Sequence, residues 1–185
     1  MRLIALTGLA CAAAAGACVY SQESDVPEQD AYTTDAQDSA VRVATAKIEP
    51  RSGSSVHGVA RFVEVAGGVE VTITIEEASP GWHAVHVHEN GDCSAPDAAS
   101  AGGHFNPGGV DHGAPHAPVH HAGDLGNMWV NDDGTGYHKV FMPELAISGD
   151  HGVVGRSIIV HEKVDDLVSQ PTGAAGGRIG CGEIH

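Results

Sequence analysis

Aromatic side chains are scarce in this sequence, with two Trp, three Tyr and three Phe in 185 residues. Any core must therefore be filled largely by aliphatic side chains. Basic residues are scarce too: nine Lys and Arg stand against 24 Asp and Glu, for a formal net charge of −15. That balance argues against a nucleic-acid partner, which requires a basic face to displace counterions. It does not exclude a small anionic ligand, because one cation in a cleft can outweigh the net sign. No long helical periodicity is found. The longest uncharged apolar run, Leu3–Ala17, is too short for a typical membrane-spanning helix. Cysteine is limited to four residues, Cys11, Cys18, Cys93 and Cys181.

The abundant residues are glycine, at 25, and histidine, at 13. Many glycines with few aromatics fit a β protein rich in turns. The short run after Arg2 has the form of a secretory signal, with Ala15-Gly16-Ala17 as a small-x-small cleavage site. Residues 1–17 are read as that signal. Cleavage there makes Cys18 the first residue of a mature chain, as in a bacterial lipoprotein, although Ala15 stands where Leu is more usual. Ordinary cleavage with Cys18 merely nearby is the alternative. Either route predicts export to the periplasm or cell envelope, with membrane attachment only through a lipid at Cys18. Residues 18–40 hold six acidic and no basic side chains and are expected to form a disordered tether. Residues 41–185 form the expected folded domain. With Cys11 removed and Cys18 at the terminus, Cys93 and Cys181 are left to pair in an oxidising compartment; two buried free thiols are the alternative.

From Val41 onward, short runs alternate apolar and polar residues. Strands are predicted at Val41–Ile48, Val56–Val65, Val69–Ile75, Trp82–His88, Asn127–Asn131, Gly136–Phe141 and Arg156–His161. Gly67-Gly68 and Asp132-Asp133-Gly134 mark turns between neighbours. Two long Gly/Pro-rich stretches, 90–123 and 165–180, remain as loops, and loops of that length in a compact domain are usually functional or disordered. The pattern predicts an all-β Greek-key sandwich or barrel.

His86 and His88 lie two apart on one predicted strand and so share a face. His161, at the end of another strand, could add a third nitrogen. The first long loop carries His104, His112 and His121, with Asp124 three residues after His121. Three imidazoles and one carboxylate form a closed four-coordinate set suited to zinc. An imidazole-rich site with an open position suits copper. Each histidine alone reads as a solvated loop or strand residue; their joint occurrence in an exported protein makes that reading poor.

Residues 81–185 resemble the copper/zinc superoxide dismutases. The resemblance runs through His86-Val87-His88-Glu89-Asn90-Gly91-Asp92-Cys93, Gly103-His104-Phe105-Asn106-Pro107, His112-Gly113-Ala114-Pro115, His121-Ala122-Gly123-Asp124-Leu125-Gly126-Asn127, the segment Gly155–Asp166, and Gly177-Arg178-Ile179-Gly180-Cys181-Gly182. It implies an eight-stranded Greek-key β-barrel with two long functional loops. It also implies one copper and one zinc ion per subunit. Copper would be held by His86, His88, His104 and His161, and zinc by His104, His112, His121 and Asp124. His104 would bridge the two. Asp165 would tie a copper ligand to a zinc ligand, Arg178 would meet the incoming superoxide, and Cys93 and Cys181 would form the intrasubunit disulfide.

The implied activity is dismutation of superoxide to oxygen and hydrogen peroxide, with His104 and Arg178 as the catalytic side chains. A non-catalytic copper-storage protein of the same fold is the alternative. Two departures are visible. The stretch Leu167–Gly177 lacks the charged residues that many animal members place there, leaving Arg178 and Lys163 to attract the anion. A homodimer is compatible with the family, but Glu183 and the tail to His185 do not supply the apolar contact of animal-type dimers. His83 is expected to be a packed, hydrogen-bonded residue. His57, His138, His151 and His185 are read as surface or structural residues. His116 and His120 are surplus histidines of the zinc loop, with copper loading as their alternative role.

Overall fold

The computed structural model describes residues 41–185. The proposed signal, the acidic tether and Cys18 lie outside the described residues. Eight antiparallel strands form a closed barrel: β1 Val43–Pro50, β2 His57–Val65, β3 Gly68–Glu76, β4 Gly81–His88, β5 Asp124–Val130, β6 Gly136–Met142, β7 Ser157–His161 and β8 Arg178–Glu183. The order around the barrel is β1-β2-β3-β6-β5-β4-β7-β8, closed by β8 against β1. Among the described residues the one helical element is a 3-10 turn, Ala99–Ala101.

Period-two patterning builds the interior. Ala44, Ala46 and Ile48 of β1, Ala60 and Phe62 of β2, and Val69, Val71, Ile73 and Ile75 of β3 point inward and are buried. Their intervening neighbours face solvent, the alternation expected of a strand with one wet face. The β2–β3 hairpin pairs Val65 with Gly68, so its two loop residues are Ala66 and Gly67. The predicted turn at Gly67-Gly68 is thus displaced by one residue: Gly67, at φ 87°, takes the left-handed position and Gly68 opens β3.

β7 departs from this alternation, with every residue from Ser157 to His161 buried, and His83–His88 of β4 are buried likewise. Val85 and Val87 of β4, with Ile158 and Val160 of β7, face the barrel core. His86 pairs with Ile159 and His88 with Ser157 on the opposite, outer face. That outer face stays dry because loops 89–123 and 162–177 fold over it. The metal-ligand candidates of the strands therefore lie outside the barrel and under the loops.

The eighth strand occupies part of a stretch read from sequence as loop, 165–180. Its Gly-rich sequence hides the period-two signal, and the reason is steric. A Cβ on Gly182 would stand 2.6 Å from the Lys47 carbonyl oxygen, and one on Gly180 would stand 2.9 Å from Ile48 Cγ2. β8 approaches β1 too closely for side chains at these positions.

Candidate metal centre

Each loop is pinned before its ligands are placed. Phe105 is buried in the core cluster, and its backbone N–H donates to the Val87 carbonyl at 2.8 Å. The Gly123 N–H donates to the Phe105 carbonyl, and Val87 N–H to Gly123 O, each at 2.9 Å. This short ladder sets His104 opposite His88 as an isolated β-bridge. The Cys93–Cys181 disulfide, with a Cα–Cα distance of 5.8 Å, ties the start of the same loop to β8.

Two groups of buried donors result. In the first, one nitrogen from each of His86, His88, His104 and His161 lies within 4.8 Å of the others. In the second, His104, His112, His121 and Asp124 meet under the same limit. All seven residues singled out by sequence are thereby brought together, and His104 belongs to both groups. Its Nδ1 stands 2.8 Å from Asp124 Oδ1 and 3.4 Å from His121 Nδ1, facing the second group. Its Nε2 points the other way and has no hydrogen-bond partner.

The unpaired atoms are the test of whether this donor set fits cations. His86 Nδ1, His88 Nε2, His104 Nε2 and His161 Nε2 are buried without a hydrogen-bond partner, and His112 Nδ1 meets only Asp124 Oδ2, at 3.0 Å. An unsatisfied buried polar atom costs about 1–3 kcal/mol. Four together at the meeting point of two donor groups suit cation binding. The opposite edge of each strand-borne ring is occupied. His86 Nε2–H donates to Asp165 Oδ2 at 2.8 Å, His88 Nδ1–H to Gly102 O at 2.9 Å, and His161 Nδ1–H to Gly176 O at 3.4 Å. These bonds select the tautomer whose lone pair faces the metal position.

Asp165 links the groups. Its Oδ1 accepts from His112 Nε2 at 2.9 Å while Oδ2 serves His86. Asp165 is itself clamped through its backbone, receiving Asn127 Nδ2–H on its carbonyl at 2.9 Å and donating its N–H to Asn127 Oδ1 at 2.7 Å. Asp124 is arranged similarly. Its Oδ2 accepts the backbone N–H of His121 at 2.8 Å and of Gly113 at 3.1 Å, which leaves Oδ1 toward His104 and His121.

Electrostatics follow from burial and these bonds. Burial holds His86, His88 and His161 well below the ordinary imidazole range, and neighbouring histidines add to the shift. Burial also lowers His104, against the pull of Asp124. His112 moves up: burial opposes the proton, but the Asp165 and Asp124 carboxylates outweigh it. Burial would raise the Asp124 carboxyl, yet hydrogen bonds from His104, His121 and the backbone hold it well below the carboxylate range. Neutral imidazoles and an ionised carboxylate are the forms that ligate metal.

Arg178 opens β8 and reaches back to the first loop, donating to Ala98 O at 2.6 Å and Gly102 O at 2.7 Å. Gly102 O also accepts from His88, so the guanidinium is held one carbonyl away from the first group. Lys163 lies exposed on the second loop.

The other histidines have structural places. His83 is buried, with Nδ1 at 2.8 Å from His161 O and Nε2 at 2.8 Å from Ser79 O, in the packed role expected of it. His120 is buried, with its nitrogens 2.8 Å from His121 O and 3.4 Å from Glu144 Oε1. His116 is exposed in the loop. His138 contacts Leu125 O, and His151 contacts Glu144 O, both at 2.9 Å. His57 lies 3.5 Å from Glu76, and His185 is exposed.

Two contributors escape sequence reasoning. Asn127 was legible only as part of a motif, without a role. Gly173, at φ 65°, packs against the Asp165–His112 bond, and a Cβ there would collide with Asp165 Oδ1 and lie 2.7 Å from His112 Nε2. Neither carries a spacing signal, because both act on residues far away in sequence.

Comparison with known proteins agrees with this geometry. The family model for copper/zinc superoxide dismutase matches residues 56–184. A solved structure titled as that of the clock protein EA4 is 37% identical, with a TM-score of 0.70 over 77% of this chain and 92% of that one. Both ligand groups, Asp165, Arg178 and the disulfide fall inside the matched span, and the chain belongs to the copper/zinc superoxide dismutase family.

Proposed function

We propose that this protein dismutes superoxide to oxygen and hydrogen peroxide, with copper held by His86, His88, His104 and His161 and zinc by His104, His112, His121 and Asp124. The observation that carries the reading is His104, whose ring nitrogens face the two donor groups from opposite edges. Copper, when bound, supplies the one-electron chemistry, taking an electron from one superoxide and giving it to the next. The chain's own residues supply the rest. Arg178 offers a fixed positive charge to the anion, with two of its N–H groups committed to loop carbonyls and the others free to bind substrate. Lys163 adds to the attraction that draws an anion toward an otherwise acidic protein. Two protons are consumed for each peroxide formed, and His104 Nε2, which has no protein partner, is the atom that would hold and deliver one whenever it is not bound to copper.

The proposed setting is outside the cytoplasm, in the periplasm or cell envelope. The signal-like run Leu3–Ala17 and the disulfide between Cys93 and Cys181 support it. A lipid at Cys18 and a homodimer belong to the same proposal; mass measurement of the mature N-terminus and of the assembly tests them.

A second reading, a non-catalytic copper-binding or storage protein of this fold, gains weight from the solved structure whose title names a clock protein. One experiment separates the two: metal analysis with superoxide dismutation measured before and after copper removal, on the wild type and Arg178→Ile. Dismutation is expected only with copper present. Arg178→Ile is expected to lower the rate about tenfold at low salt, with unchanged metal content. Copper bound without turnover favours the second reading, and no copper bound sinks both.

A further inference from the structure

His112 differs from the other zinc-side donors in what holds its backbone. It lies between Pro107 and Val119, in a segment without regular strand or helix. Its N–H donates to Gln170 Oε1 at 2.8 Å, and its carbonyl accepts from Gln170 Nε2 at 2.9 Å. One side-chain amide therefore satisfies both main-chain polar groups of a ligand residue 58 positions away. The bond from His112 Nε2 to Asp165 adds a third contact from the same short segment of the second loop.

Gln170 is presented by a preorganised turn. Asp166 Oδ1 accepts the backbone N–H of Val168 at 3.0 Å and of Ser169 at 2.8 Å, and the Gly173 N–H donates to Ser169 O at 2.7 Å. Gln170 Nε2 also donates to Val168 O at 3.3 Å. Only one orientation of the amide fits, with oxygen toward the His112 N–H and nitrogen toward its carbonyl. A carboxylate would set an acceptor against that carbonyl, and an apolar side chain of the same length would leave both groups unmet.

We infer that Gln170 is a positioning residue for the His104/His112/His121/Asp124 group, holding the His112 backbone so that its ring enters the group already oriented. Loss of an outer partner of a metal ligand typically lowers metal affinity about 10–100-fold. The inference rests on reading this group as a zinc site.

The test is competition for zinc between a chromophoric chelator and the purified full-length chain, disulfide intact, for wild type, Gln170→Met and Gln170→Glu. Cobalt(II) in place of zinc adds a visible spectrum that reports ligand geometry. Gln170→Met is expected to bind zinc about tenfold more weakly, and Gln170→Glu at least as weakly, with altered cobalt spectra. The zinc-induced rise in melting temperature should shrink by more than the metal-free melting temperature falls. Wild-type zinc affinity and cobalt spectrum in Gln170→Met would overturn the inference and leave the metal reading intact, since methionine fills the same space. A wild-type chain that binds no zinc at this group would overturn both. If Gln170→Met does not fold, Gln170→Glu carries the same comparison.

Discussion

Four buried imidazole nitrogens without protein partners, on His86, His88, His104 and His161, make these histidines a source of instability in the absence of a bound cation. The lowered pKa values of His86, His88 and His161 turn this into a pH dependence. In the unfolded chain these rings take up protons below about pH 6.5, whereas burial keeps them neutral in the folded state. The unfolded state then binds more protons, so stability falls as pH falls, by up to about 1.4 kcal/mol per pH unit for each ring. Their contribution is complete above the unfolded pKa and is lost below it. The melting temperature of the metal-free protein is expected to drop between about pH 7 and pH 5, and less steeply in His161→Gln. Scanning calorimetry checks this; a flat profile in the wild type would contradict it. At this scale the sequence was most informative. His86, His88, His104, His112, His121, His161 and Asp124 were all legible as candidate donors from their types and spacing, and the fold brings them together in two groups. Gln170 and Gly173 were not, since one acts through backbone atoms and the other by having no side chain.

The two loops cover the strand-borne donors as one unit, cross-linked where Asp165 and Gln170 meet His112, with Asn127 of β5 clamping Asp165. Gly173 sits where that unit is tightest. Gly173→Ala would push a methyl group into Asp165 Oδ1 at a backbone φ of 65°, which disfavours any side chain. The expected result is a break in the Asp165–His112 bond and a drop in zinc affinity of at least about tenfold. The barrel should remain folded, because its core lies on the other face of β4 and β7. Zinc titration alongside far-UV circular dichroism checks both halves of this expectation. Most strands were legible from their alternation, to within a few residues at their ends. β8 was not, because packing against β1 replaces side chains with glycine at Gly180 and Gly182. The full burial of β7, and nearly all of β4, was equally hidden, since it depends on loops that cover their outer face.

Across the whole molecule, the disulfide spans 88 positions and joins the first loop to the last strand. Chain-entropy reasoning assigns such a link about 4–5 kcal/mol. A Cys93→Ser/Cys181→Ser variant is expected to lose stability of that order in denaturant titration, and wild type treated with reductant should approach the same value. Unchanged unfolding midpoints in both would refute the estimate. The bond also locates Glu183, whose Oε1 accepts the Cys93 N–H at 3.1 Å, and Arg51, which donates to the Cys93 carbonyl at 2.9 Å.

His86, His88 and His161 stand on strands, while His104, His112 and His121 stand on a loop, with Asp124 where that loop meets β5. With the proposed copper and zinc bound, the two ions would therefore have unequal lifetimes in the protein. Local opening of a loop needs far less free energy than melting a barrel. On the proposed assignment, the zinc-side position should exchange its ion with solvent on the timescale of loop opening, and the copper position, with three of its four donors on strands, should do so more slowly. Partial demetallation would then yield a folded barrel with one metal and a loosened lid, a state separated from the complete molecule by kinetics rather than by unfolding.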